Sequence, residues 1–338
     1  MKICLLGEIH GMLDEGARNI TTYLTDNLSK HHQVLSLDLR SIFSRAFWRK
    51  IKDFKPDIIH YVHGGSINSF ILTKVLSHYC SNARSVLSVM NLSLSPLSKK
   101  IVFLSKPDVV LVQSHQTENT LKTLGCRTEF LPNGVDVKKF RPASKESKEI
   151  LRQKYKIAEN KFVLLHVGSV KKRRNVLLLE SLQGEDNQVL IIGSTSTGSE
   201  KKVYERLVKK GCIVWLRYFE NIEEIYALSD CYIFPTIQKY GVMGRPIVGS
   251  IEMPLSVLEA MSCNLPVITT RFGALPGVFE EGDGIIFAER EEEFINAVEK
   301  IKNTDINVKT REKVLPFAWE NVVRRLEEIY EELLNERT

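Results

Sequence analysis

The chain lacks the long uncharged apolar run that a membrane-spanning helix requires. Such a helix takes roughly 18 to 20 consecutive apolar residues, and no stretch of the 338 residues approaches that length. The opening MKICLLGEIHG is apolar only briefly before Glu8 and His10 interrupt it, so we expect a first β-strand there and not a signal peptide. With 43% hydrophobic and 26% charged residues, the composition is typical of a soluble globular protein.

Cysteine is scarce, and its spacing excludes the common zinc and redox motifs. The six cysteines form no C-x-x-C pair and no set with the spacing of zinc ligands. Several of them fall in apolar, strand-like segments, so we expect buried free thiols in a reducing compartment. These observations favour a cytoplasmic protein.

Two signatures of nucleotide chemistry are also missing. Gly7, Gly11 and Gly16 follow the first apolar run, but their spacing is not G-x-G-x-x-G, so no dinucleotide cofactor is expected. The chain contains no Asp-x-Asp pair that would hold a divalent cation against a phosphate. We therefore expect neither a cofactor nor a metal ion.

Positive charge is concentrated at the start of the chain. Residues 1–145 contain 20 Lys and Arg against 11 Asp and Glu, whereas the remainder contains 27 against 30. The two parts are therefore expected to meet different partners. No groove-reading helix or aromatic sheet motif accompanies the basic part, so nucleic acid is not an expected partner.

Apolar runs of strand length alternate with amphipathic segments along the whole chain. We predict strands at 2–7, 32–39, 57–64, 84–90, 109–114, 128–133, 161–168, 188–194, 212–218, 231–236, 265–270 and 284–288. We predict helices at 16–30, 41–54, 67–80, 115–124, 175–182, 199–210, 221–229, 254–263, 290–302 and 318–336. This alternation predicts an α/β protein with two parallel sheets, whose ligands bind at the carboxyl ends of the strands.

The segment PNGVDVKKFRPASKESKEILRQKY separates the two sets of strands. Its turn residues and its Ser/Lys/Glu composition indicate a linker. We therefore predict a first domain over residues 1–145 and a second over 146–317.

Six segments of the chain occur in one order at sensible spacing. They are PNGVDVKKFRP, HVGSVKKRRNVLLLESL, QVLIIGS, NIEEIYALSDCYIFPT, SIEMPLSVLEAMSCNLPVITT and FAWENVVRRLEEIYEEL. Together they resemble the retaining glycosyltransferases of family 4 (glycosyl transferases group 1), which have two Rossmann-like domains in the GT-B arrangement. The resemblance implies that the first domain binds the acceptor, the second binds a nucleotide-sugar across a cleft, and the last helix, 318–338, crosses back to the first domain.

The segment SIEMPLSVLEA carries the most chemistry. Pro254 suits the first turn of a helix, and the free amides of Leu255 and Ser256 then offer an anion site for a diphosphate. By the resemblance, Glu259 binds the ribose and Glu252 contacts the donor sugar. The alternative for Glu259 is a solvated carboxylate on an ordinary amphipathic helix.

The spacing of the two glutamates departs from the family pattern by one residue. Aligned on Glu259, the family's first glutamate falls on Ile251. Either Glu252 acts from a shifted backbone, or its role is missing.

The segment HVGSVKKRRN is expected to bind the diphosphate. It follows a predicted strand through Gly168, and the family's arginine and lysine positions are occupied by Ser169 and Arg174. Arg174 can serve as a phosphate fork, and Lys171 is a neighbour that can compensate. The alternative is a basic surface loop.

Two aromatic residues, Tyr218 and Phe219, fall where the family holds the nucleobase. Each either stacks on the base or belongs to the core.

In the first domain, the cleft candidates lie in loops that follow predicted strands. By the resemblance, the loop with Gly11 and Gly16 covers the leaving phosphate, although a plain strand–helix turn explains it equally. His63 and His115 end strands and either meet the acceptor or are structural. Asn91 takes the place of a family histidine; it can form a hydrogen bond but cannot act as a base.

Residues 41–55 form a basic amphipathic segment. Its aromatic and aliphatic side chains either lie on anionic lipid, which would bring the enzyme to a lipid-linked acceptor, or pack on the first sheet. The first reading places the protein peripherally on the inner face of the membrane.

We therefore predict a metal-independent hexosyltransferase that moves a sugar from a UDP- or GDP-sugar to a hydroxyl of a glycan or lipid-linked acceptor, with retention of configuration. Two alternatives stay open. One is a sugar-nucleotide epimerase on the same architecture. The other is a non-catalytic nucleotide-binding partner subunit, because Ser169, Ile251, Asn91 and Gly277 depart from the family pattern.

Overall fold

The structure is a computed structural model that describes residues 1–11, 16–195, 198–237, 239–240, 246–247 and 250–336. The chain forms two compact units. Unit 1 comprises Met1–Gly134, Lys239–Met253 and Trp319–Thr338, and unit 2 comprises Val135–Gln238 and Pro254–Ala318. Part of the predicted glycine-containing loop (12–15) and the last two residues of the predicted final helix (337–338) lie outside the described residues.

Unit 1 is built on a six-stranded parallel sheet. Its strands are Lys2–Gly7 (β1), Gln33–Asp38 (β2), Ile58–Ser66 (β3), Arg84–Ser93 (β4), Val109–Val112 (β5) and Thr128–Phe130 (β6). The helices between them are Gly16–Leu28 (α1), Arg45–Phe54 (α2), Ile67–Tyr79 (α3), Pro96–Leu104 (α4) and His115–Thr123 (α5). The strand order is β2-β1-β3-β4-β5-β6, and the central strands are largely buried, as expected where helices cover both faces of a parallel sheet.

Unit 2 contains a second six-stranded parallel sheet. Its first four strands are Phe162–Val167 (β7), Asn187–Gly193 (β8), Ile213–Leu216 (β9) and Cys231–Phe234 (β10). A short antiparallel pair, Lys239–Tyr240 (β11) and Pro246–Ile247 (β12), follows within the unit 1 segment. Val267–Thr269 (β13) and Ile285–Phe287 (β14) complete the unit 2 sheet in the order β14-β13-β10-β7-β8-β9.

The helices of unit 2 surround its sheet. They are Lys145–Tyr155 (α6), Lys201–Lys209 (α7), Ile222–Leu228 (α8), Leu255–Ser262 (α9), Leu275–Val278 (α10), Glu291–Asn303 (α11) and Thr310–Val314 (α12). The apolar core on one side of this sheet includes Leu164, Ile191 and Ile233 from three neighbouring strands.

The last helix, Trp319–Asn335 (α13), packs within unit 1. The ring of Trp319 stacks on Tyr23 with centroids 5.1 Å apart, and Gly134 lies so close to Trp319 that an added Cβ would stand 2.3 Å from the ring. Further along, the Tyr330 hydroxyl lies 2.6 Å from His60 Nδ1. The prediction that the final helix returns to the first domain is confirmed.

All twelve predicted strands are present, and the prediction of two parallel α/β sheets is confirmed. The interpretation of the segment after Pro142 as a linker is wrong from Lys145 onward, since α6 begins there. Ser144 caps this helix by accepting from Ser147 N at 3.2 Å. The helix was missed because it is mostly charged, with Ile150 64% exposed.

Several other elements differ from the prediction. The helix predicted at 175–182 is a 3-10 helix, Val176–Ser181, and α4, α10, α12 and the strand pair β11–β12 were not predicted. The division between the units lies at Gly134/Val135, upstream of the predicted boundary at residue 145.

Candidate functional site

The carboxylate of Glu259 lies at the centre of a polar cluster in unit 2. It projects from α9 and accepts a hydrogen bond from the hydroxyl of Tyr226, a buried residue of α8, at 2.6 Å. Burial raises the pKa of Glu259 to about 7, against the opposing effects of the Tyr226 hydrogen bond and the charge of Lys139. Further hydroxyl donors would stabilise the ionised form of such a desolvated carboxylate.

The amino end of α9 lies beside the carboxyl ends of β7 and β10. The side chain of Ser256 hydrogen-bonds to Tyr232, and the Tyr232 hydroxyl also donates to Val167 O at 3.3 Å. Pro254 precedes the helix, and no side chain of the described residues caps it. The amides of Leu255 and Ser256, at the first two helical positions, have no acceptor within the helix.

A basic turn follows β7 in the same unit. Gly168 donates its N–H to Ile192 O, and Ser169 is buried beneath the turn. Lys171 opens the short 3-10 helix Lys172–Arg174, where Arg174 N donates to Lys171 O at 2.9 Å.

The charge of Arg174 acts on two neighbouring side chains. Burial lowers the pKa of His166 and the charge of Arg174 adds to this, whereas burial raises the pKa of Tyr232 and the charge of Arg174 opposes the rise. The turn also lies against the end of β10, since Thr236 Oγ1 donates to Arg174 O at 3.5 Å. Unit 2 therefore brings the basic turn and the start of α9 to the carboxyl edge of its sheet.

His166 is a buried polar group in this cluster that the sequence did not single out. Its Nδ1 lies 2.9 Å from Ile233 O and so carries the proton. Its Nε2 has no hydrogen-bond partner among the described residues. Burial lowers the pKa of His166 to about 4, so the ring is neutral near pH 7.

The two aromatic candidates after β9 have different environments. Phe219 packs in a cluster, with its ring centroid 5.5 Å from Trp215 and 6.3 Å from Tyr155, and the guanidinium of Arg217 lies over it at 4.4 Å. Tyr218 is exposed. Of the two, Tyr218 is the more exposed side chain.

Glu252 is buried within unit 1. Its Oε1 accepts from Thr117 Oγ1 at 2.5 Å and its Oε2 accepts from Ser114 Oγ at 2.6 Å. The backbone N–H of Leu92 also donates to the carboxylate. Burial raises the pKa of Glu252, and these donors oppose the rise.

Asn91 and two other amides hold the same segment. Asn91 Nδ2 donates to Ser250 O at 2.5 Å. Asn133 Nδ2 donates to Met253 O at 2.7 Å, and Gln113 Oε1 accepts from Met253 N at 3.3 Å. Residues 250–253 are therefore fixed to unit 1 from several sides.

His63 and Gly11 belong to the carboxyl edge of the unit 1 sheet. Burial lowers the pKa of His63, and the charge of Glu8 opposes this. Glu8 forms an ion pair with Arg18 at 3.7 Å. Gly11 has a φ of +121°, and an added Cβ there would meet the Arg18 guanidinium at 2.8 Å. Gly16 begins α1.

His115 is the first residue of α5 and is exposed. Its ring stacks on Phe130 with centroids 5.6 Å apart, and its Nδ1 lies 3.0 Å from Glu118 Oε2.

The apolar face of segment 41–55 packs on the first sheet. Phe47 and Ile51 are buried, and Trp48 Nε1 donates to Ile42 O at 2.8 Å. Phe43 is the exception, with 99% of its side chain exposed.

The described part of the chain shows neither of two other features. It contains no group of three His, Cys, Asp or Glu side chains arranged to hold a metal ion. None of its helices combines the length and the apolar character needed to cross a membrane.

Sequence reasoning missed several members of the unit 2 cluster, namely His166, Tyr226, Tyr232 and Lys139. Each lies in a strand, helix or turn whose sequence pattern does not mark that side chain as functional. Only the pairing of Tyr226 with Glu259, across 33 residues of sequence, shows that the cluster exists.

Comparisons with known proteins agree with this fold. A model of the family described as "Glycosyl transferases group 1" matches residues 147–315, half of the chain. An uncharacterized glycosyltransferase of Methanocaldococcus jannaschii is 24% identical over 65% of this chain and 57% of its own length. The chain spans between 43% and 62% of the length of the first curated relatives it matches.

Two further relatives cover nearly all of the chain. The Escherichia coli UDP-Gal:alpha-D-GlcNAc-diphosphoundecaprenol alpha-1,3-galactosyltransferase is 24% identical over 96% of this chain and 85% of its own length. The crystal structure of Anabaena HepE in complex with UDP superposes with a TM-score of 0.73 at 14% identity, over 98% of this chain and 100% of that one. This likeness shows the two-domain GT-B fold. Together with the family match over half of the chain, it establishes that this protein belongs to the glycosyl transferases group 1 family.

Proposed function

We propose that this protein is a glycosyltransferase that moves a sugar from a nucleotide diphospho-sugar, with UDP or GDP as the nucleotide, to a hydroxyl of a glycan or lipid-linked acceptor. The proposal includes retention of the anomeric configuration, which the resemblance to family 4 supports. It also assigns the neutralisation of the diphosphate to side chains and helix amides, without a metal ion or cofactor.

The observation that carries the proposal is the environment of Glu259. Within the described residues one hydroxyl donor, Tyr226, reaches this desolvated carboxylate. A ribose offers two vicinal hydroxyls that can donate to the same carboxylate, which would compensate the cost of burying its charge. Glu259 is therefore our ribose-binding residue.

The diphosphate would bind beside this residue. Arg174 and Lys171 contribute positive charge from the turn after β7, and Leu255 and Ser256 contribute amides at the positive end of the α9 dipole. As the bond between the sugar and the phosphate breaks, negative charge grows on the departing diphosphate. Fixed donors that are already oriented toward it lower the barrier electrostatically.

The nucleobase would lie at the turn after β9. Tyr218 is our stacking candidate because its ring is exposed, whereas Phe219 is engaged by Trp215 and Arg217. Gly168 and Ser169 would line the approach to the phosphates.

Acceptor binding is assigned to unit 1, with Gly11, Gly16, His63 and His115 as its candidates. A contact of Glu252 with the donor sugar stays a hypothesis, and it would use acceptor positions of the carboxylate beyond those that Ser114 and Thr117 occupy. Asn91, whose Nδ2 donates to Ser250 O, would meet a substrate through its amide oxygen or its second N–H. A protein of this kind would act in the cytoplasm, where nucleotide-sugars are available, with peripheral membrane contact if its acceptor is a lipid.

A thermal-shift screen tests the donor site. UDP, GDP, ADP, CMP and TDP are each added to the wild type, to Glu259→Ala and to Glu292→Ala, an exposed glutamate of α11 that serves as the matched control. We expect one nucleoside diphosphate to raise the melting temperature of the wild type and of Glu292→Ala, but not of Glu259→Ala. A shift that survives in Glu259→Ala would remove the ribose assignment.

An assay for consumption of the matching nucleotide-sugar then distinguishes sugar transfer from the alternative functions. Release of the nucleoside diphosphate that depends on an added acceptor supports transfer. Nucleotide binding without consumption of any donor would contradict it and favour a non-catalytic subunit.

A further inference from the structure

Helix α3 exposes an apolar stripe to solvent. Ile71, Val75 and Tyr79 follow one another at intervals of four residues, so they lie on one face of the helix, and all three are exposed. The opposite face is already used, since Phe70 and Leu76 are buried against the sheet. The exposed stripe is therefore not part of the packing between α3 and the sheet.

The neighbouring helix α4 exposes even more of its apolar side chains to solvent. Leu104 is 75% exposed and Phe103 is 62% exposed, with Ile101 also exposed. Among the side chains described for this helix, only Val102 is buried. Helix α4 packs against α3.

These two helices hold six of the thirteen large hydrophobic side chains that are exposed in the described part of the chain. We call this the α3–α4 surface and define it by Ile71, Val75, Tyr79, Ile101, Phe103 and Leu104. Exposed apolar groups on a folded protein are usually scattered singly, and a concentration of them marks an interaction site.

Basic residues surround the α3–α4 surface. Helix α4 carries Lys99 and Lys100, both exposed, α3 carries Lys74, and the ammonium of Lys106 lies 4.0 Å from the centre of the Phe103 ring. Neither α3 nor α4 contains an acidic residue.

The basic surface continues onto α2. Tyr79 contacts Trp48 of α2 edge-on, with centroids 5.1 Å apart. Helix α2 contains four exposed basic residues and one acidic residue, Asp53. Phe43, just before α2, is also exposed.

We propose that the α3–α4 surface binds the headgroup region of a bilayer that contains anionic lipids. Phe103, Leu104 and Ile101 would enter the acyl boundary, and the surrounding lysines would contact phosphates. A second copy of the chain fits less well, because a symmetric contact through this surface would bring lysines against lysines.

The proposal changes the expected site of membrane contact. The sequence left open whether the apolar face of 41–55 lies on anionic lipid or packs on the first sheet, and in the structure that face packs on the sheet. Helix α2 would instead contribute its basic side chains and Phe43 at the margin of the α3–α4 surface. This contact is independent of the donor chemistry, so it stands or falls separately from the proposed function.

Cosedimentation with vesicles tests the proposal. The full-length protein is mixed with vesicles of phosphatidylcholine alone, or with phosphatidylglycerol added, at low and at high salt. We expect binding to the anionic vesicles only, and we expect high salt to weaken it.

Three variants, two double and one single, complete the design. Phe103→Ser with Leu104→Ser removes apolar contacts, and Lys99→Glu with Lys100→Glu reverses charge; each should reduce partitioning about tenfold or more. Ile150→Ser, an equally exposed isoleucine of unit 2, is the matched control and should bind as the wild type does. All of them should keep the wild-type nucleotide response.

Three results would overturn the proposal. The first is equal binding of the Phe103/Leu104 variant and the wild type. The second is binding that ignores lipid charge. The third is absence of vesicle binding together with a wild-type dimer that the Phe103/Leu104 variant dissociates in light scattering, which would assign the surface to a second copy of the chain.

Discussion

The hydroxyl of Thr117 donates to the carboxylate of Glu252 at 2.5 Å, although 135 residues separate them in the chain. Ser114, the N-cap of α5, donates to the other oxygen of the same carboxylate. One short stretch of α5 thus satisfies a buried acid on a segment that comes to unit 1 from the middle of the second half of the sequence.

We predict that Glu252 acts chiefly by holding this segment in unit 1. Thr117→Val removes one donor from a buried carboxylate and should lower the free energy of unfolding by about 1 to 3 kcal/mol. Thr120→Val is the control, since the half-buried Thr120 donates its hydroxyl within α5, to Gln116 O, and should change stability by less than about 0.5 kcal/mol. Urea denaturation measures both.

Glu252→Gln distinguishes this role from contact with the donor sugar. If Glu252 holds the segment, its effect and that of Thr117→Val should be non-additive in a double-mutant cycle. A Glu252→Gln variant of wild-type stability with strongly reduced turnover would show instead that the carboxylate serves the sugar.

Arg174→Ala should weaken binding of a nucleoside diphosphate but not of the corresponding nucleoside. A hydrogen bond to a charged group contributes about 1.5 to 3 kcal/mol, so we expect a loss of about 10- to 100-fold in affinity for the diphosphate. Calorimetric titration with both ligands measures it. Arg173→Ala, on the neighbouring exposed side chain, is the control. An equal loss for nucleoside and diphosphate would place Arg174 outside the phosphate site.

Affinity for the nucleoside diphosphate should fall as the pH drops below about 7. Burial raises the pKa of Glu259 to about 7, and ribose hydroxyls that donate to the carboxylate favour its ionised form. Binding below pH 7 therefore releases a proton, which weakens affinity by up to about tenfold per pH unit.

The matched variant for this pH effect is Glu259→Gln. It cannot titrate, while the phosphates of the ligand titrate equally with both proteins. The difference between the two pH profiles of the dissociation constant reports Glu259 alone. Parallel profiles would contradict the assignment.

Unit 1 should lose stability in mild acid through His60. This buried ring bonds to Tyr330 and Ser88, and burial lowers its pKa to about 3 from the ordinary 6.5. Below pH 6.5 the unfolded chain binds a proton that the folded chain does not. Stability is therefore lost as the pH falls from 6.5 toward 3, by up to about 1.4 kcal/mol per pH unit.

Comparison with His60→Gln isolates this contribution. The variant removes the titrating ring, so its unfolding free energy should depend less steeply on pH between 6.5 and 5. The comparison is needed because Glu259 acts with the opposite sign: its raised pKa adds stability as the pH falls from 7 toward 4.5. Equal slopes in wild type and variant would mean that His60 titrates normally in the folded protein.

Much of the fold follows from local pattern. The strands were predictable because a strand covered on both faces is mostly apolar, as in KFVLLHVG and QVLIIGS. We did not predict helix α6 because a helix with charged residues on most faces has the composition of a linker. Its buried Arg152 donates to Leu228 O and Asp230. These contacts are not visible in the sequence because they join α6 to a distant part of the chain.

The candidate site was predictable only in part. The order of motifs singled out Glu259 and Arg174 as candidates, but nothing local indicates that Tyr226 donates to Glu259 or that the charge of Arg174 acts on His166. Such contacts join residues from separate strands and helices, and their distances depend on how the elements pack.

The sequence by itself determined the two α/β sheets, the order of their elements and the residue types available at their carboxyl edges, because periodicity and turn chemistry act over a few residues. Only the tertiary structure decided which of two neighbouring acids belongs to which cluster. Glu252 joins α5 in unit 1, whereas Glu259 faces Tyr226 in unit 2. The physical reason is that a buried carboxylate must find donors, and those donors come from parts of the chain far away in sequence.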